Sequence, residues 1–262
     1  MTRFISKPLQ MVFLCLSLCG MLPAWADDAE NIMLATSQRM LAERMAKAWI
    51  LQGLGVKVTD PAKQLESAMA QFDSQLNTLK ALEDPELKDT YGTLAQVWGD
   101  FRLYFTGAPK MATSKDFTDS HEELVYLSQK GSELLQQKSK VPMAKLVGLA
   151  EDISTVSQRI AKLYLLQSWG VQQPYLAKDL AAARAEITQL LAKLKAAPEN
   201  NTSTRNQIAL VETQWLFFDQ ALTALNAKRT DTTLITNVAT TSERIQQVSA
   251  DLAKQYQRLA KR

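Results

Sequence analysis

The chain repeats itself. Shifted by 115 residues, positions 31–81 align with 146–196 without a gap, and 18 of the 51 aligned residues are identical. Arg44 falls on Arg159, Lys47 on Lys162, Gln52 on Gln167 and Gly55 on Gly170, while Trp49 falls on Tyr164. With a two-residue insertion, Trp98 falls on Trp215 and Phe101 on Phe218. A generic helical composition would produce some of these matches, but not the coincident glycine and aromatic positions. The pattern reads as a tandem duplication, so whatever one unit folds into must be built twice in one chain.

That unit is expected to be helical. Ala, Leu, Gln, Lys and Glu dominate, all strong helix formers, and strict polar/apolar alternation over strand lengths is hard to find. Asp60-Pro61 and Asp84-Pro85 each read as an N-cap followed by Pro at the first helical position. Ser120-His121-Glu122-Glu123 has capping-box spacing, which places His121 near a helix start and exposed. Breaks at 107–109, at Pro142, at 170–174 and at 198–201 leave helices over 29–54, 61–83, 85–106, 115–138, 142–169, 174–196, 203–227 and 232–260. The expected fold class is therefore all-α, as two tandem antiparallel four-helix-bundle units related by internal duplication, with the first unit over 27–140 and the second over 141–262. Leu65, Ala68, Phe72, Leu76 and Leu79 should form the inner face of the second helix, and Leu180, Ala183, Ile187, Leu191 and Leu194 the corresponding face in the second unit. Trp98 and Trp215 read as core anchors.

Residues 1–26 read as an export signal. Arg3 and Lys7 make a positive lead, Met11 to Leu22 an apolar stretch, and Ala24-Trp25-Ala26 a small-x-small cleavage site. Cys19 could serve a lipoprotein signal, but Leu18 stands where a small residue is wanted. Cys15 and Cys19 are the chain's two cysteines, so the mature part lacks disulfides, thiolate metal sites and cysteine nucleophiles. Beyond the signal, 28 basic side chains face 27 acidic ones, too even a balance for a nucleic-acid binder. No later apolar run approaches the 18 or so residues needed to span a membrane. The expected location is the periplasm.

The first helix holds the segment with the most chemical character. Ile32, Ala35, Arg39, Ala42, Ala46, Trp49 and Gly53 follow one stripe of mostly small residues, and Arg39 interrupts it. The stripe in the second unit is Val147, Ala150, Ser154, Ser157, Ala161, Tyr164 and Ser168, with Ser154 where Arg39 stood. An Arg in a helix seam costs several kcal/mol unless matched. Either Arg39 snorkels to the surface or pairs with an acid such as Glu43 or Asp100, or it faces another helix and leaves a gap filled by a small anion. Its planar fork of five donors suits nitrate or a carboxylate. Arg44 and Arg159 recur in both units and read as a structural pair.

The run from Ile32 to Lys47, with Gln38-Arg39-Met40 followed by Arg44, resembles the opening helix of the PilJ/NarX-like sensor domain. That domain is the extracytoplasmic part of nitrate/nitrite sensor kinases and of a type IV pilus chemotaxis transducer. The resemblance implies a sensory module in which Arg39, with Gln38, Thr36 and Ser154 around it, is the candidate ligand-binding residue. In nitrate-sensing members this Arg comes from both subunits and clamps one nitrate between paired helices. Here Thr36 stands where Gly is usual and Ser154 replaces a second clamp arginine, so a homodimer would be needed to supply two. The family's usual transmembrane helices and output domain are not recognisable, so a signal would pass through a membrane partner such as a sensor kinase or chemotaxis transducer.

Two functions follow from this: a periplasmic sensory module for a small anion, nitrate- or nitrite-like, or a non-sensing adaptor of a type IV pilus or signalling complex. An enzyme is disfavoured. The one histidine, His121, has no Ser or Cys partner in a recognisable context, and neither a phosphate loop nor HExxH occurs. Cofactors and metals are not expected.

Overall fold

The computed structural model describes residues 24–140, 142–224 and 231–260. The proposed export signal lies outside the described residues up to residue 23. Eight α-helices follow in order: α1 (Ala24–Gly53), α2 (Pro61–Lys80), α3 (Pro85–Phe101), α4 (Ser114–Lys138), α5 (Pro142–Ser168), α6 (Leu176–Ala196), α7 (Thr202–Ala224) and α8 (Thr232–Ala260). The chain tightens into a 3-10 turn at Arg102–Thr106 after α3 and another at Met111–Thr113 before α4. No strand occurs among the described residues.

The starts of these helices are set locally. Asp60 adopts left-handed φ and ψ of 49° and 70°, and its carboxylate accepts from the Lys63 amide. Asp84 accepts from the amides of Glu86 and Leu87. In both cases Pro takes the first helical position, where a missing N–H costs nothing. The helix expected over 115–138 begins at Ser114, so the capping-box spacing at Ser120 falls inside it and His121 lies well within the helix rather than at its start.

The ends of α1 and α5 are built alike. Gly55 has φ +69° and Gly170 φ +92°. The Gly55 amide donates to Gln52 and that of Val56 to Leu51, while Gly170 donates to Gln167 and Val171 to Leu166. This is the paired-bond terminator that requires a left-handed residue just past the helix, and it occurs at positions 115 residues apart.

Packing separates the helices by role. α1 packs on α2 and α4, and α3 on α2 and α4; α5 packs on α6 and α8, and α7 on α6 and α8. A large contact between α1 and α5 joins the two sets. Arg39 meets Asp152, Glu43 meets Lys162 and Gly53 meets Trp169. Residue numbers rise together along this seam, so α1 and α5 run parallel, each residue close to its own repeat. Both helices are buried around most of their circumference, as expected of a core helix. Both small-residue stripes lie inside, from Ile32 to Trp49 and from Val147 to Ser168.

The outer helices bury one stripe each. Leu65, Ala68, Phe72, Leu76 and Leu79 are all buried, as are Ala183, Ile187, Leu191 and Leu194, with Leu180 half-buried. Trp98 is buried over Phe72, ring centroids 4.6 Å apart, and its indole N–H donates to Asp73 at 2.7 Å. Trp215 is buried beside Phe218. Trp49 stacks on Phe117 of α4 at 3.9 Å and meets Trp169 edge-on at 5.4 Å, tying α1, α4 and the end of α5 together.

Candidate functional site at the seam of the two central helices

The four residues singled out around the first-helix motif point in different directions. Thr36 donates to the Ile32 carbonyl of its own helix. Gln38 donates across to the Phe72 carbonyl of α2. Ser154 donates to the Gln246 carbonyl of α8. Arg39 turns instead toward α5 and α6, where Nη1 donates to Asp152 at 3.2 Å and Nη2 lies 3.9 Å from Glu186. Its partner is neither Glu43 nor Asp100. Asp152 came from a helix 113 residues away, and no local spacing could have announced it. Asp100 lines a separate open groove between α3 and α4, with Leu103 and Tyr104.

Arg39 opens onto a cleft of about 390 Å³. Arg39 and Asp152 lie on its floor, Gln129 and Glu133 on its α4 wall, and Glu186 and Lys193 on its α6 wall. Arg39 is only 8% exposed and its Nε, buried, has no hydrogen-bond partner. Burial pushes Asp152 up to about 6; Arg39 opposes that shift, while Glu186 and Glu133 add to it. The cleft therefore holds charges of both signs, with one more carboxylate than cations.

Below this cleft the seam carries a chain of buried ions that the sequence did not disclose. Lys162, on α5, reaches Glu43 at 3.0 Å and Glu122 at 2.9 Å, and its Nζ lies 3.2 Å from His121 Nδ1. His121 is fully buried, not exposed as its apparent helix start suggested, and its Nε2 lies 3.1 Å from the Ala42 carbonyl. Lys47, on α1, makes the matching reach to α8, contacting Ser242 at 3.2 Å and Glu243. So each repeat's lysine crosses to the fourth helix of the other set. Burial lowers Lys162's affinity for a proton, but Glu43 and Glu122 outweigh it and hold its pKa above the usual value. Burial lowers Lys47 to about 8, with Glu243 opposing the shift and Arg44 adding to it. Arg44 itself forks onto Glu243 through Nε and Nη2, whereas Arg159 lies 3.8 Å from Glu186 of α6. The two arginines share sequence positions but not partners.

Among the described residues, no group of three or more His, Asp and Glu side chains is arranged to hold a metal ion, and no helix is long and apolar enough to cross a membrane. What the geometry defines is a helical scaffold in which a polar cleft sits on a paired-helix seam.

Residues 26–125 match the family described as type IV pili methyl-accepting chemotaxis transducer N-terminal domain, PilJ, a non-catalytic sensory family. The matched stretch runs from α1 into α4 and includes Arg39, Glu43 and Lys47. The first part of the chain is thus similar to the sensor-domain family that its opening helix resembles. No curated protein and no solved structure matches the chain.

Proposed function

We propose that the protein is a periplasmic sensory module, exported by residues 1–26, whose two duplicated four-helix units form a dimer-like pair within one chain and signal through a membrane partner. The observation that carries this reading is the parallel α1–α5 pairing inside and beyond a segment of the chemotaxis-transducer family. A sensor that works by two first helices lying side by side needs two copies of that helix. This chain supplies both, so the α1 face that a homodimer would use is already covered by α5. The 115-residue repeat, the matching helix terminators and the reciprocal reach of Lys47 and Lys162 support the duplication.

The cleft at Arg39 is the ligand site in this reading. A ligand seated there touches α1, α4, α5 and α6 together, so occupancy that favours one packing of the central pair over another shifts the balance between them, a physical route from binding to signal. A bare anion of the nitrate type is served less well than in a two-arginine clamp, since Asp152 already holds Arg39 and Ser154 stands at the second clamp position.

The test is thermal unfolding with a small-molecule panel including millimolar nitrate, nitrite, carboxylates and amino acids, on wild type and Arg39→Ala. A ligand at 100 times its Kd adds about 2.7 kcal/mol, and the shift should vanish in the variant. A panel without any shift overturns the sensory reading. The competing adaptor reading draws on the exposed Leu210, Leu216 and Phe217 of α7; it gains if Leu216→Ser and Phe217→Ser abolish capture of an envelope protein while no small molecule binds.

A further inference from the structure

The cleft at Arg39 has a partner position across the seam. Moving 115 residues along the repeat exchanges Arg39 for Ser154, Asp152 for Ser37, Glu186 for Gln71 and Lys193 for Thr78. All four charged residues on one side become uncharged on the other. If these charges served only to hold a repeated fold together, the second copy would need them too. Instead Ser154 and Ser37 make ordinary bonds, to the Gln246 carbonyl and from the Gln75 amide. One side of the seam carries a charged cleft and its counterpart does not.

Inside that cleft the arginine is only half used. Asp152 takes Nη1 at 3.2 Å. The other edge of the guanidinium has Nε with no partner and Nη2 with nothing nearer than Glu186 at 3.9 Å among its ion pairs. An Nε–Nη2 edge fits a carboxylate bidentately. Glu186 beside it is itself too far for a hydrogen bond to Arg39, and its second oxygen is 3.8 Å from Arg159. A carboxylate held only by long ion pairs, next to a guanidinium edge whose buried Nε has no hydrogen-bond partner, is a matched pair of receptors for opposite charges a few ångströms apart. A bare anion satisfies Arg39 but lies against Glu186 and Asp152. A bare amine satisfies Glu186 but faces Arg39. A molecule whose carboxylate and ammonium share one carbon answers both.

We propose that the Arg39 cleft binds a free α-amino acid, its carboxylate on the Nε–Nη2 edge of Arg39 and its ammonium on Glu186, with Glu133 and Gln129 of α4 closing the other side. The volume of about 390 Å³ admits a small polar amino acid and its side chain. This rests on the cleft being the ligand site of the sensory module and names the class of ligand.

The experiment is titration calorimetry of the full mature chain with the twenty common α-amino acids. Each that binds is then compared with its des-amino carboxylate and its decarboxylated amine, and with nitrate. At least one amino acid should bind, with both half-molecules at least tenfold weaker. Glu186→Gln, whose ion pairs to Arg39 and Arg159 are 3.9 and 3.8 Å long, should remove the preference over the des-amino carboxylate, and Arg39→Gln the preference over the amine. A half-molecule or nitrate binding as tightly as the amino acid overturns the proposal while leaving a sensory cleft in place. Binding that survives both variants with its preferences intact overturns it by moving the site. Absence of binding by any of these compounds overturns both the amino-acid assignment and the cleft as ligand site.

Discussion

At the residue scale, the two repeats differ most where charge is buried. Glu43 and Gln158 occupy equivalent positions. Glu43 helps neutralise Lys162, while Gln158 donates to the Ser242 carbonyl and leaves Lys47 with Glu243. This single exchange helps explain why the lysines shift in opposite directions, Lys162 up and Lys47 down to about 8. A further buried acid, Glu151 on α5, lacks such a match. Burial pushes it up to about 7, the neighbouring Asp152 adds to the shift, and Lys254 of α8 opposes it. A carboxyl raised on folding stabilises the native state through its protonated form. That contribution is complete below its unfolded value near 4.5 and is lost as pH rises through 7. At about 1.4 kcal/mol per unit, the loss is on the order of 3 kcal/mol. Glu151→Gln should therefore raise the melting temperature at pH 8 and change it little at pH 5. An unchanged difference in melting temperature between the two pH values would show that Glu151 titrates normally.

At the element scale, what the sequence disclosed was what local physics decides. The helices, their aspartate caps and the inner faces of α2 and α6 follow from composition, Pro position and periodicity, and all lie where those signals put them. The capping-box spacing at Ser120 misled only about His121, because it occurs inside a helix already running from Ser114. It suggested an exposed position near a helix start for a side chain that is fully buried. The partners of Arg39 and Lys162 were hidden for a different reason: Asp152 and Glu122 lie on other helices, so only the packing of α1 on α5 brings them near. The repeated helix terminator is local and makes its own prediction. Gly55 and Gly170 sit at φ +69° and +92°, where an L side chain costs about 1–2 kcal/mol. No packed atom lies within 4 Å of a Cβ added at Gly55, and the nearest at Gly170 is Met111 at 3.5 Å, so the cost is conformational. Gly55→Ala and Gly170→Ala should each lower stability in urea by about 1 kcal/mol and Gly55→Asn by less, because Asn tolerates this region. Equal effects of Ala and Asn would point to a cause other than backbone strain.

For the whole molecule, the central seam decides whether two repeats behave as one body or two. Each set of four helices could in principle close on itself, but neither set keeps its polar bonds to itself. Lys47 bonds to α8, Lys162 to α4 and Glu43 to Lys162. If one set unfolded alone, the other would lose the packing of α1 on α5 and be left with a buried charge stripped of its partner. Removing one member of a buried pair costs about 3–5 kcal/mol, a large share of the 5–15 kcal/mol that holds a typical domain together. The two sets should therefore melt in a single transition, with a calorimetric enthalpy equal to the van't Hoff value. Placing a carboxylate in the seam with Ala161→Asp should separate the transition into two or lower it markedly, since Ala161 is fully buried and an ionised group there is costly. Two resolved transitions in the unaltered protein would mean that the units hold together less tightly than the shared ions imply. In that case a ligand in the cleft could alter their association itself, and the signal would lie in separation of the units rather than in their repacking.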